Sequence, residues 1–283
     1  MHLQNQQRVL IPVDFSESAL NCCIYICEYA LRMGWEVLLA HVVHGVVLPT
    51  LTPSEVRAGA REEHLEEARV EMLQMENKLR GIFPRIPLRA EILERPDFAG
   101  AIIEYAKKEQ VHLIAMATKG SKGLGSFFMP SNTASVIDHS QNRFPVFVVP
   151  NYFHFRPLKQ VLLSVDLSVD VDISRLESLN KIFPLSDLEL SILHIGDTDT
   201  IDTGLEILAN KIGDTYPIQQ IQLIKHPRGG KGVINSLIDV GANFDTLILM
   251  PALRSFWQQL FKTSITKSMT QLAQTPLIVL PRT

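Results

Sequence analysis

The stretch RVLIPVDFSESA, Arg8 to Ala19, returns as QVLLSVDLSVDV, Gln160 to Val171. In both copies an apolar run ends on an aspartate, Asp14 or Asp166, with a serine two residues further on, Ser16 or Ser168. Self-similarity at this separation means one folding unit written twice. The parallel continues along the chain. VLLAHVV from Val37 matches LELSILHI from Leu188, VHLIAMA from Val111 matches DTLILMP from Asp245, and FPVFVVP from Phe144 matches TPLIVLP from Thr275.

Between these runs lie segments with helical spacing. In EEHLEEARVEMLQMENKLRGI from Glu62, the residues Leu65, Met72, Leu73, Met75, Leu79 and Ile82 recur near helical period on a charged background; FAGAIIEYAKKE from Phe98 is a second case. Short β-branched strands alternating with helices require crossover connections, so each half reads as a five-stranded parallel sheet covered on both faces. The halves are residues 1–150 and 158–283. The joining segment NYFHFRP, Asn151 to Pro157, is too short and too apolar for a free linker and implies that the halves pack together.

With 283 residues and 46% apolar composition the chain can fill two cores. Its 27 basic and 30 acidic residues form no long single-sign block, which argues against a nucleic-acid partner. The N-terminal MHLQNQQRVLIPVDF has no secretory pattern and no apolar run is long enough to span a bilayer, so no membrane association and a cytoplasmic location are expected. Cys22, Cys23 and Cys27 fall in one helix and read as small buried hydrophobes rather than a redox or metal group. His41, His139, His194 and His226 are scattered singly, without the spacing of a metal site.

In an open parallel sheet a ligand crevice lies beyond the carboxyl ends of the strands, where strand order reverses. In the first half that point is flanked by Pro12, Val13, Asp14 and Ser16 after the first strand and by ATKGSKGLGSFFMPSNTASVI, Ala117 to Ile137, after the fourth. Gly120, Gly123 and Gly125 permit a backbone nest for an anion, Lys119 and Lys122 add positive charge, and Ser131, Asn132 and Thr133 begin a helix. A glycine-containing surface loop with a Ser cap is the plain alternative, because the spacing matches neither GxxxxGK[ST] nor GxGxxG. In the second half, KHPRGGKGVIN from Lys225 offers Arg228, Gly229, Gly230 and Lys231 as a weak anion site at a helix start. No Ser-His-Asp set or close carboxylate pair stands at either place, so an enzyme is not expected.

Both halves resemble universal stress protein domains over nearly the whole chain. The resemblance implies two tandem Rossmann-like (adenine nucleotide alpha hydrolase-like) domains with strand order 3-2-1-4-5, paired through their last strands. It also implies a binding or regulatory role in stress response. A homodimer and an unidentified protein partner are compatible with it. Nucleotide-binding members carry G-x2-G-x9-G-[ST] after strand four, an Asp after strand one, and a backbone contact after the His-Val of strand two. Here these fall on Asp14, on His41 and Val42, and on Ala117, Gly120 and Pro130, with Ser131 retained.

An Ala in left-handed geometry costs about 1 to 2 kcal/mol, and the N–H missing at Pro130 costs about 1.5 to 3 kcal/mol. Together these predict an ATP or AMP site weakened by about two to nearly four decades. The rival expectation is a genuine ATP/AMP-binding member, with slow or no hydrolysis, in which Gly123 and Gly125 replace the missing glycines. The second half departs further, since PALRSFWQQLFKTS, Pro251 to Ser264, has no glycine and carries Phe256, Trp257, Leu260 and Phe261; packing is the plain reading of these aromatics. Flavoprotein or pyrophosphatase relatives of similar fold are disfavoured because PVDFSES lacks their SGG-type loop.

Overall fold

The apolar runs form strands and the helically spaced segments form helices. The computed structural model describes residues 6–44, 53–118, 131–140, 143–151, 154–167, 169–196, 201–226, 232–250 and 275–281. The first half contains β1 (Arg8–Pro12), α1 (Glu17–Met33), β2 (Glu36–Val43), α2 (Ser54–Ile82), β3 (Leu88–Glu94), α3 (Phe98–Lys108), β4 (Leu113–Ala117), α4 (Ser131–Ser140) and β5 (Val146–Val149). The second contains β6 (Gln160–Val165), α5 (Leu176–Asn180), β7 (Glu189–Ile195), α6 (Ile201–Thr215), β8 (Gln220–His226), α7 (Gly232–Gly241), β9 (Thr246–Leu249) and β10 (Leu277–Val279).

Within each half the strands are parallel and ordered 3-2-1-4-5. The halves join strand to strand. β5 and β10 pair antiparallel, with Phe147 opposite Ile278, so the full order is β3-β2-β1-β4-β5-β10-β9-β6-β7-β8. The apolar cores on both faces of this sheet contain residues from both halves.

Helix α1 begins where the Ser16 hydroxyl accepts the Ala19 N–H at 3.1 Å, and it ends at Gly34, whose φ of 70° a side chain would resist. Its buried face holds Cys22, Cys23 and Cys27, and burial pushes all three thiols up, Cys27 to about 12. Thiols held protonated in this way pack as small hydrophobes. Helix α2 buries Leu65, Ala68, Met72, Met75 and Leu79, a stripe at helical spacing, while Leu73 and Ile82 are 58% and 49% exposed. The expectation that both lie on the apolar face is corrected for Leu73, which stands about 100° round the helix from Met72, whereas Ile82 keeps the spacing of the stripe and is exposed as the last residue of the helix.

The joint between the halves is aromatic. Phe183, from the β6-to-β7 connection, packs edge-on against Tyr29 at 5.4 Å, Trp35 at 5.3 Å and Phe147 at 6.2 Å. The connecting segment is fixed to the same cluster. The Phe155 ring lies 4.8 Å from Tyr29 and under the Arg32 guanidinium, and the Tyr29 hydroxyl donates to the Arg156 carbonyl at 2.8 Å. Edge-to-face rings add specific attraction to the burial of their area.

Candidate functional site

β1 and β4 run side by side and leave the sheet at the same end, so the residues after them share the switch point of the first half. Pro12 is the last residue of β1, opposite Ala40, and the Val13 N–H continues the ladder to the Ala40 carbonyl at 2.8 Å. Asp14 then emerges exposed. Its Oδ1 accepts both the N–H and the hydroxyl of Ser16, at 3.2 and 2.6 Å, a local turn that sets the carboxylate at the mouth of the crevice.

Phe15 carries this turn at φ 60°, a left-handed conformation that costs a non-glycine residue about 1 to 2 kcal/mol. Its ring stacks on His41 at 4.4 Å, which offsets part of that strain. His41 in turn contacts the Val13 carbonyl through Nδ1 at 2.8 Å, a bond in which Nδ1–H donates when the ring is neutral. Burial lowers the His41 pKa, with the Val13 carbonyl acting in the opposite direction. The neutral form with Nδ1–H is thus favoured, and the imidazole acts as a brace between β2 and the β1 turn. Val42 is a strand residue in register with Leu93, and its side chain is buried, so what it can offer a ligand is its main chain.

At β4, Ala117 is the final strand residue, opposite Val149, and the Thr118 N–H bonds the Val149 carbonyl at 3.0 Å. Ala117 is not among the residues with positive φ. The expectation of a left-handed alanine is therefore corrected: the β4–β5 ladder holds this residue extended, and the penalty attached to it disappears. Helix α4 is tied to the same point, because the buried Thr133 hydroxyl donates to the Ala117 carbonyl at 3.2 Å. Asn132 is exposed beside it, and Ser131 opens the helix.

The structure brings together Pro12, Val13, Asp14, Val42 and Ala117 at the carboxyl ends of β1, β2 and β4. Lys119, Gly120, Lys122, Gly123, Gly125 and Pro130 lie outside the described residues, as do Arg228, Gly229, Gly230 and Lys231 and the segment from Pro251 to Ser264. Sequence reasoning missed Phe15 and Thr118 as organisers of the crevice, and it named Thr133 only as part of a helix start. A bulky residue between Asp14 and Ser16 gave no sign of a left-handed turn, and the Thr133 hydroxyl reaches a carbonyl sixteen residues away in sequence, a contact that local spacing does not signal.

In the second half, Val165 and His194 occupy the register of Val13 and His41, and Leu167 N–H approaches His194 Nδ1 at 3.4 Å. The imidazole there accepts a main-chain proton, whereas its counterpart in the first half donates one. Among the described residues no His, Cys, Asp and Glu side chains cluster in a way that would hold a metal ion, and no helix is long and apolar enough to cross a membrane.

Comparison with solved structures finds the same two-unit architecture elsewhere. A universal stress protein from Archaeoglobus fulgidus DSM 4304 superposes with a TM-score of 0.64 at 18% identity, covering 97% of this chain and 96% of that one. A candidate universal stress protein from Pseudomonas aeruginosa UCBPP-PA14 gives a TM-score of 0.55 at 12% identity over 98% and 94% of the two chains. A protein of unknown function from Pseudomonas aeruginosa PAO1 gives 0.53 at 12% identity over 98% and 93%. At these identities the likeness is one of fold. No curated protein sequence matches the chain. The sequence profile of the universal stress protein family matches residues 6–150, which contain the whole crevice just described. This chain belongs to the universal stress protein family.

Proposed function

We propose that the first half binds an adenine nucleotide, ATP or AMP, weakly in the crevice bounded by Pro12, Val13, Asp14, Val42 and Ala117, and that the chain is a binding or regulatory module in stress response. The observation that carries this reading is the exposed Asp14 carboxylate at the switch point, beside a β4 end whose Ala117 is extended and unstrained. With the alanine penalty removed, only the N–H missing at Pro130 weakens the site, by about 1.5 to 3 kcal/mol or about one to two decades. The Ser16 hydroxyl is occupied as a donor to Asp14 and as the cap of α1, and His41 is held on the Val13 carbonyl, so neither is presented as a nucleophile or base. This supports binding without catalysis.

Titration calorimetry with Mg-ATP and with AMP tests the reading. The expected dissociation constant is on the order of 10 to 100 µM, lost in Asp14→Ala and tightened about tenfold to a hundredfold in Pro130→Gly. A flat titration for both the native chain and Pro130→Gly overturns it. The unstrained Ala117 also favours a second reading, a genuine ATP/AMP site with slow or no hydrolysis. Near-stoichiometric nucleotide carried through purification would establish that one instead.

A further inference from the structure

Among the described residues the ten-stranded sheet has two edges, β3 and β8, because the last strands of the two halves are consumed by pairing with each other. The two edges are built differently. β3, LRAEILE, carries Arg89, Glu91 and Glu94. Arg80 of α2 donates to the Leu88 carbonyl at 2.6 Å, Arg89 is paired with Glu36 and Glu109, and Arg61 of α2 is paired with Glu94. Charges and a covering helix of this kind are how a sheet edge is blunted against pairing. In register with it, β8, QIQLIKH, has neutral Gln222 and Ile224 where β3 has Arg89 and Glu91, and its central Leu223 is 40% exposed.

Beside β8 the shorter helix α6 leaves a concavity of about 450 Å³, lined by Glu206, Asn210 and Asp214 of the helix and by Ile221 and Leu223 of the strand. Ile207, 62% exposed, shares a helix face with Asn210 and Asp214. Alternation along the strand puts Lys225 on the same side of the sheet as Ile221 and Leu223. One side of the edge strand thus carries Ile221 and Leu223 beside an acidic concavity, with Lys225 following them.

We propose that β8 is a self-pairing edge and that its occupant is β8 of a second copy of this chain, running antiparallel about a two-fold axis at Leu223. In that register Leu223 meets Leu223 of the second copy and Ile221 stands opposite Lys225. Each lysine then reaches over the concavity of the other subunit, towards Glu206 and Asp214, so the contact is complementary twice over, as a two-fold requires. The pairing joins the two sheets at their β8 edges, at the far end of the strand order from the crevice beside Asp14. It is independent of whether that crevice binds a nucleotide.

Sedimentation velocity on the full chain, from low to high micromolar concentration, is the test. A dimer is expected, with its dissociation constant raised at least about tenfold by Leu223→Lys and by Lys225→Glu. Asp214→Lys added to Lys225→Glu restores it, because the charges are exchanged and not removed. Circular dichroism confirms that these exposed-edge variants fold. A chain that stays monomeric throughout overturns the proposal, and so does a dimer that neither variant weakens.

Discussion

The two halves solve the first crossover differently. Between β1 and β2 the chain forms one 17-residue helix, α1, capped by Ser16 and closed by Gly34. Between β6 and β7 it forms a 3₁₀ turn at Ile173–Arg175, the five-residue α5, and a second 3₁₀ turn at Leu185–Asp187. Both connections nevertheless perform the same task at the far end of the last strand. In the first half Asn21 Nδ2 donates to the Pro150 carbonyl at 3.1 Å; in the second the buried Arg175 donates to the carbonyls of Leu280 at 2.8 Å and Pro281 at 2.6 Å. The hydrogen-bond pair made by Asp14 and Ser16 also recurs, six residues later than the repeat suggests, at Asp172 and Ser174, with distances of 3.0 and 2.7 Å. What the repeat preserves is the requirement on the backbone, while the side chain that meets it has drifted.

The comparison is broken most severely at the joint. Phe183 belongs to the divergent connection, yet it packs on Tyr29, Trp35 and Phe147 of the first half and is 1% exposed. Phe183→Ala should lower unfolding free energy by about 3 to 5 kcal/mol, measured by urea denaturation. If the halves depend on each other through this ring, a single transition should also separate into two. A loss below about 1 kcal/mol would mean that strand pairing alone couples them.

A smaller effect separates the two strand-end ties. Removing Arg175 leaves two carbonyls without a charged donor, so Arg175→Leu should cost about 1.5 to 3 kcal/mol, whereas Asn21→Ala removes one neutral bond and should cost about 0.5 to 1.5 kcal/mol. Denaturation midpoints of the two variants check the order. Equal losses would show that the guanidinium does no more than the amide it replaces.

The strands were legible because their signal is local. VLLAHVV and LELSILHI each contain the apolar content of a buried parallel strand, and register then followed from the repeat. The β5–β10 junction came from the resemblance and not from the residues, since nothing in FPVFVVP distinguishes a parallel neighbour from an antiparallel one. In the crevice, the place of Asp14 at the end of the first strand was read from topology, and Val42 came from the resemblance. The conformation of Ala117 was not legible, because a motif names a residue type without saying which φ its neighbours impose. Phe15 was hidden for the opposite reason: a left-handed aromatic is disfavoured locally and exists only because His41, distant in sequence, stacks against it. Arg175 was hidden as well, since DISRLESLNKIF also carries Asp172, Glu177 and Lys181 and nothing in it marks one charge as the buried one.

The smallest contrast lies at the amino ends of the strands and concerns pH. Arg8 and Glu36 are cross-strand neighbours in the first half, as Gln160 and Glu189 are in the second. Glu36 bonds Arg8 at 2.8 Å and Arg89 at 2.6 Å, while Glu189 receives only a neutral bond from Gln160 at 3.2 Å among its described contacts. Burial acts to raise the Glu36 carboxyl, but the hydrogen bonds from Arg8 and Arg89 outweigh it and hold the pKa below the ordinary 4.5. A carboxyl whose pKa is lower folded than unfolded stabilises the fold above its unfolded pKa, and that contribution is lost as pH falls through the folded value. Glu36→Gln should therefore cost about 1 kcal/mol at about pH 7, with the difference shrinking as pH falls below the ordinary carboxylate range and the native carboxyl takes up its proton as well. Glu189→Gln should shift the same curve by less at every pH, because no guanidinium depends on it. Denaturation of both variants across this range would place the acid sensitivity of the joined sheet in its first half, and a loss for Glu36→Gln that does not change with pH would locate the effect in packing instead of charge.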